Sequence, residues 1–121
     1  MKAIELLEAY PKAAEVIGEF YRSKMIESLN TQDIPDEFKE LVKNEKFDNQ
    51  YISTFIDANP RILFDVFDAH DLQIGITPNF LIGGMNFKYT IATLLAGEEP
   101  TRVEAEKKAI TLALQLLNDK L

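Results

Sequence analysis

The chain has 121 residues, of which 46% are hydrophobic and 27% are charged, as in ordinary globular proteins. It contains no cysteine and one histidine, which excludes a disulfide framework, a thiol nucleophile, a cysteine-ligated zinc or iron–sulfur centre and a multi-histidine metal site. Twenty acidic side chains against thirteen basic ones give a formal net charge of −7, so the chain repels a phosphate backbone unless its basic residues lie together on one face.

The N-terminal half has helical apolar spacing up to about residue 70. Pro11 ends the first predicted helix because its ring disfavours helical backbone at the residue before it. Asn59 and Pro60 are a helix cap and a first helical residue. The five helices predicted here lie at about 3–9, 12–29, 35–46, 49–57 and 60–69.

The third of these helices has the clearest apolar stripe. Pro35 suits the first turn of a helix, since its backbone needs no amide hydrogen there. Phe38, Leu41 and Val42 follow at helical spacing, and the pattern predicts that they are buried.

Alternating apolar and polar residues begin at Leu72 and predict β-strands at about 72–77, 80–82 and 85–94. Pro78–Asn79 interrupts the first of them as a turn or a bulge. Gly83–Gly84 is typical of a two-residue hairpin turn. The pattern predicts two or three antiparallel strands and leaves their number open.

The last predicted helix, at about 102–119, opens with a capping box formed by Thr101 and Glu104. Its wide apolar face predicts burial against both the sheet and the N-terminal helices. A two-stranded hairpin alone is marginally stable in water, so the sheet needs this cover. We therefore expect a single α+β domain over residues 1–121: a helical N-terminal half, then a two- or three-stranded antiparallel hairpin or meander covered by a long C-terminal helix.

Four polar residues that could ligate a metal lie within a span of seven: Asp65, Asp68, His70 and Asp71. Three carboxylates and an imidazole could hold a divalent cation, as a divalent-metal-dependent enzyme would require. Their spacing matches no calcium-binding loop. The pattern favours the solvated back of a helix whose apolar residues point inward, and it predicts no metal site.

Motifs for nucleophilic or phosphate chemistry are missing from the sequence. None of Ser23, Ser28 and Ser53 lies in the G-x-S-x-G turn of serine hydrolases, and no phosphate-binding glycine loop occurs. We therefore predict that the protein is not an enzyme and needs no cofactor, and the sequence indicates no small-molecule ligand.

Residues 85–121 resemble the last strand and last helix of double-stranded-RNA-binding domains, in which a helix begins with a small hydroxyl residue, lysines and spaced alanines. The resemblance implies phosphate contacts from basic residues at the start of the helix. Those residues are Arg102, Lys107 and Lys108. Val103 and Glu106 stand where that pattern has lysines, and the predicted hairpin turn is too tight for the histidine-bearing loop of such domains. Nucleic acid is therefore an unlikely partner, kept as an alternative.

Three aromatic residues of the predicted strands, Phe80, Phe87 and Tyr89, could form a stacking face for single-stranded nucleic acid. One face of a small sheet is more often core, and Lys88 marks the solvent side. We therefore predict that these three rings are buried.

The whole chain resembles a family of small uncharacterised proteins of gut bacteria and their phages or mobile elements. The resemblance rests on three stretches: residues 7–16, residues 55–68 and residues 102–110. It implies a short stand-alone protein encoded near mobile DNA, and it carries no activity, cofactor or catalytic residue to this chain.

The function that the sequence contradicts least is a non-catalytic interaction or accessory module that binds another protein or itself. We expect the interface in the N-terminal half, with its acidic residues and Tyr10, Tyr21 and Tyr51. Self-association would use the broad C-terminal helix. No signal-peptide core begins the chain and no apolar stretch approaches the roughly 18 residues of a membrane span, so a cytoplasmic protein without a membrane partner is expected.

Overall fold

The computed structural model of the protein describes residues 2–43, 48–82 and 84–120. It is α+β, as predicted, with helices first, an antiparallel sheet next and a long helix last. The elements are α1 (Ala3–Ala9), α2 (Pro11–Asn30), α3 (Asp36–Lys43), α4 (Asn49–Ala58), a 3-10 turn (Pro60–Ile62), α5 (Leu63–Ala69), β1 (Ile74–Leu81), β2 (Gly84–Ile91), β3 (Leu94–Glu99) and α6 (Arg102–Lys120).

The chain divides into two compact units, which we call the helical unit (Met1–Asn59) and the sheet unit (Pro60–Leu121). The helical unit contains α1 to α4, and the sheet unit contains the remaining elements. A single domain over residues 1–121 stays a prediction.

In the helical unit, α1 packs against α2 and α4. The residues next to the helix ends determine where these helices begin and end. Tyr10, before Pro11, leaves the helical conformation with φ −125° and ψ 72°, which separates α1 from α2. Asp48 starts α4 by accepting a hydrogen bond from the Tyr51 amide at 2.8 Å. The Ala3 amide donates to the Asp57 carboxylate at 3.1 Å and so ties the start of α1 to the end of α4.

The stripe predicted to be buried on α3 is not buried. α3 contacts α2, yet Phe38 is 55% exposed and Leu41 is 70% exposed, while Lys39 is half-buried. The side chain of Val42 and residues 44–47, which end the predicted helix, lie outside the described residues. Apolar periodicity determines which side chains share a face, and tertiary packing determines where that face points. The aliphatic stem of a lysine can cover apolar surface as well.

The strands form one sheet in the order β1-β2-β3, with both pairs antiparallel. The predicted break between strands 72–77 and 80–82 is wrong, because β1 runs unbroken through Pro78, opposite Phe87. Proline is tolerated there because β1 is an edge strand, where an amide hydrogen is dispensable. Leu81 pairs with Gly84, so Gly84 belongs to β2 and not to the predicted turn; Gly83 lies outside the described residues.

The predicted strand 85–94 is also too long. β2 ends at Ile91, the chain turns at Ala92 and Thr93, and β3 continues to Glu99, past the end of the last predicted strand. Both turn residues have positive φ, 53° and 68°. These angles fit a two-residue turn whose twist matches that of the flanking strands, although glycine and asparagine, the usual residues of such turns, are absent. That absence explains why the turn escaped prediction.

One face of the sheet packs on α6. Tyr89, Ala105 and Ala109 form a buried cluster, against which Ile74, Ile76, Phe87 and Ala96 pack. The alanines have small side chains and leave room for the tyrosine ring between helix and sheet. The buried residues of α6 are Ala105, Ala109, Ile110, Ala113, Leu114 and Leu117.

Thr101→Ala is expected to lower the free energy of unfolding by about 1 kcal/mol. The Thr101 hydroxyl oxygen accepts a hydrogen bond from the Glu104 amide at 3.2 Å, which satisfies one of the unpaired donors at the start of α6. Urea unfolding followed by circular dichroism measures the change. Thr111→Ala, inside the same helix, is the control and should change the free energy by less than about 0.5 kcal/mol. Equal losses in the two variants would contradict the assigned cap.

Candidate interaction surfaces

The Asp/His cluster does not gather into a ligand set. Asp65 and Asp68 are exposed on α5, and the main-chain carbonyl of His70 accepts a hydrogen bond from the Lys120 ammonium at 2.9 Å. Among the described residues, no three or more His, Asp or Glu side chains are placed to hold a metal ion together.

Asp71 instead has a backbone role. Its φ is 61°, and the Leu72 amide donates to the Phe67 carbonyl at 2.8 Å. This is the hydrogen-bond pattern that commonly ends helices, with a left-handed residue just past the last turn. Asp71 therefore ends α5 in a conformation that glycine adopts most easily.

The basic residues considered for nucleic acid lie at the start of α6. The Arg102 guanidinium is 5.4 Å from the centre of the Phe87 ring, and Lys107 and Lys108 are exposed. Glu106, which the sequence sets against phosphate binding, lies 2.8 Å from the Arg61 guanidinium. The positive charge of Arg61 offsets the negative charge of that carboxylate. Glu106 therefore disfavours phosphate binding less than the sequence indicated.

The face of the sheet opposite α6 carries a network of polar side chains. The Asn79 amide donates to Asn86 at 3.1 Å, and the Asn86 amide donates to Glu98 at 2.8 Å. Lys88 lies 3.9 Å from the other Glu98 oxygen. These cross-strand contacts stabilise the sheet by satisfying the polar groups among themselves.

The free end of the β1–β2 hairpin exposes three large apolar side chains, which we call the apolar tip: Phe80, Ile82 and Met85. Phe80 is 82% exposed, Met85 is 46% exposed and Ile82 is fully exposed. Phe80 and Met85 are cross-strand partners. Residues four apart along a strand share a face, so Phe80 lies on the same face of the sheet as Ile76, which packs under α6.

Of the three rings predicted to be core, Tyr89 is buried, Phe87 is half-buried and Phe80 is exposed. The prediction for Phe80 is wrong for a topological reason. β3 ends at Glu99, opposite Phe87, and Arg102 at the start of α6 lies over the same ring. The hairpin therefore extends past both its neighbouring strand and its covering helix, and the tip lacks their cover.

The helical unit carries a second apolar surface. Glu37, Phe38 and Leu41 are exposed on α3 at spacings of three and four residues, which places them on one side of the helix. We call these three residues the α3 face. It combines two large apolar side chains with a carboxylate.

Of the tyrosines predicted at an interface, Tyr51 is exposed, whereas Tyr10 and Tyr21 are half-buried. On α6, Val103 and Leu116 are the exposed large apolar residues among those described, since the broad apolar face is otherwise buried. The proposed self-association through that face therefore has little surface available to it.

No protein-family model, curated protein or solved structure matches the chain. Within the described residues, no helix has the length and apolar content needed to cross a membrane.

Proposed function

We propose that the protein is a non-catalytic interaction module that binds another protein through the apolar tip. The supporting observation is the exposure of Phe80, Ile82 and Met85 together at one end of a packed sheet. Large aromatic, aliphatic and methionine side chains supply much of the affinity of protein interfaces when they enter a partner's pocket. An exposed group of them is accordingly typical of a binding surface.

A protein suits this surface better than a nucleic acid. Residues 61–121 carry 6 basic side chains against 8 acidic ones. Three of these basic residues make hydrogen bonds or ion pairs to oxygen atoms within the sheet unit: Arg61 with Glu106, Lys88 with Glu98 and Lys120 with a main-chain carbonyl. The other three are Arg102, Lys107 and Lys108. Nucleic-acid affinity comes largely from many simultaneous phosphate contacts. The excess of acidic over basic side chains in residues 61–121 therefore favours a protein partner with an apolar surface.

The edges of the sheet are poorly suited to binding a partner strand, which favours recognition through side chains. Strand addition needs a row of regular, unpaired backbone groups. Pro78 lies within the edge strand β1, and β3 has an irregular register opposite Tyr89 and Thr90 followed by Glu98 and Glu99. Proline, irregular pairing and charge all disfavour edge-to-edge pairing. The exposed tip is then the better candidate for contact with a partner.

The test compares the wild-type chain with the triple variant Phe80→Ser, Ile82→Ser, Met85→Ser as baits in a lysate of the native host. We expect one protein to be retained by the wild type and lost by the variant. The captured protein, once purified, should bind the variant at least about tenfold more weakly, since each buried anchor contributes on the order of 1 kcal/mol or more.

The matched control is Leu94→Ser, Leu95→Ser, which removes two exposed apolar side chains where β3 begins. It should bind the captured protein as the wild type does. Equal weakening in control and tip variants would contradict the proposal. Binding of an RNA duplex at about 50 mM salt that is lost in Arg102→Glu would favour the nucleic-acid alternative instead.

We also propose that this module serves in the cytoplasm as an accessory of a phage or mobile element. The support for the mobile-element link is the sequence resemblance of residues 7–16, 55–68 and 102–110. The cysteine-free composition is compatible with a reducing compartment. Identifying the genes that flank this one, and locating the tagged protein in host cells, would test the two statements separately.

A further inference from the structure

We propose that the α3 face is a second docking site and that its occupant is a basic amphipathic helix of another protein. The site lies in the helical unit and rests on residues that the apolar tip does not contain. The two proposals can therefore fail independently.

The apolar side chains of α3 face outward. Surface helices normally turn their apolar stripe inward, towards the body of the protein. α3 does the opposite, since Phe38 and Leu41 are exposed while Lys39 is half-buried. Two large apolar side chains at a spacing of three residues match the anchor pattern by which one helix packs on another.

The α3 face lies among acidic side chains. Glu37 is exposed one turn before Leu41, and Asp36 and Glu40 are exposed on the same helix. Residues 1–59 as a whole carry 12 acidic side chains and 7 basic ones. Complementary charge at the rim of an interface raises association rates and excludes partners of the wrong sign. The occupant should therefore carry lysine or arginine beside its apolar residues.

The same charge argues against two other occupants. In a twofold-symmetric dimer through this face, Glu37 would approach the acidic rim of the second copy, and each chain has a net charge of −7. An anionic lipid surface would likewise repel it. A basic helix of a different protein would not be repelled by the acidic residues of the α3 face.

The test uses a fluorescent peptide of about 18 residues built from leucine, lysine and alanine, with leucines at helical spacing and long enough to fold on contact. We expect fluorescence anisotropy to show binding to the wild-type chain that weakens between about 50 and about 500 mM salt. A peptide with glutamate in place of lysine should not bind. No binding of the lysine peptide, or equal binding of both peptides, would overturn the proposal.

Variants locate the contact. Leu41→Gln should weaken binding at least about tenfold, and Glu37→Gln should weaken it a few-fold and reduce its salt dependence. The controls make the same chemical changes elsewhere: Leu94→Gln removes an exposed leucine from the sheet unit, outside the apolar tip, and Glu8→Gln removes an exposed carboxylate from α1. Neither control should change the affinity.

Circular dichroism verifies that each variant keeps its helical content, which we expect because all four positions are exposed. Unchanged affinity in Leu41→Gln would show that the peptide binds elsewhere and would overturn the site. A wild-type dimer that becomes monomeric in Leu41→Gln would replace the basic helix with a second copy as the occupant.

Discussion

Replacing Gly97 with alanine is expected to lower the free energy of unfolding by about 1–3 kcal/mol, the usual cost of overfilling a packed site. A Cβ atom at this position would lie 2.5 Å from Cζ and 2.8 Å from Cε1 of the Tyr89 ring. Tyr89 is opposite Gly97 in the sheet and belongs to the cluster with Ala105 and Ala109. The ring cannot withdraw without disturbing the contact between sheet and α6.

Gly84→Ala is the matched control, because a Cβ atom there would meet nothing within 4 Å. Its free energy of unfolding in urea should stay within about 0.5 kcal/mol of the wild-type value. If Gly97→Ala is no less stable than this control, the packing of Tyr89 over Gly97 is not a determinant of stability. Both substitutions keep the apolar tip, so neither removes the proposed binding residues.

The double variant Ala92→Asn, Thr93→Gly is expected to raise the free energy of unfolding by about 1–2 kcal/mol. Ala92 and Thr93 occupy the left-handed region with φ of 53° and 68°. That region costs an ordinary residue about 1–2 kcal/mol, and a β-branched residue is rare there. Asparagine followed by glycine is the preferred sequence for such a turn, although the chain entropy of glycine offsets part of the gain.

Thermal and urea unfolding measure the gain, and Thr93→Val is the control. Valine keeps the branched side chain in the left-handed conformation, so Thr93→Val should bring no increase in stability. An increase of the same size in both variants would mean that the gain does not come from relief of the backbone conformation. The wild-type turn persists because Ile91 and Leu94, on either side of it, are paired in the sheet.

The helix termini were the most predictable features because their causes are local. The helices predicted at about 3–9, 49–57 and 102–119 agree with α1, α4 and α6 to within a residue. Pro11 and Thr101, which the sequence identified, act on the backbone of their immediate neighbours. Signals of this kind need no information about the rest of the fold.

The candidate surfaces were less predictable. Phe80 and Tyr89 both lie in predicted strands and were both predicted to be buried, yet Phe80 is exposed and Tyr89 is buried. The difference depends on where β3 ends and α6 begins, which is a property of the whole sheet unit. Phe38 and Leu41 were identified as sharing a face, but the direction of that face follows from how α3 packs on α2.

The amino-acid sequence by itself determined the α+β class, most helix boundaries and the pairs of residues that share a face, because proline, capping residues and apolar spacing act over one or two turns of chain. Only the tertiary structure decided that Pro78 lies within a continuous edge strand, that Ala92 and Thr93 turn the chain into β3, and that the apolar tip and the α3 face are exposed. Exposure depends on which elements cover one another, and that coverage comes from contacts between residues far apart in the chain.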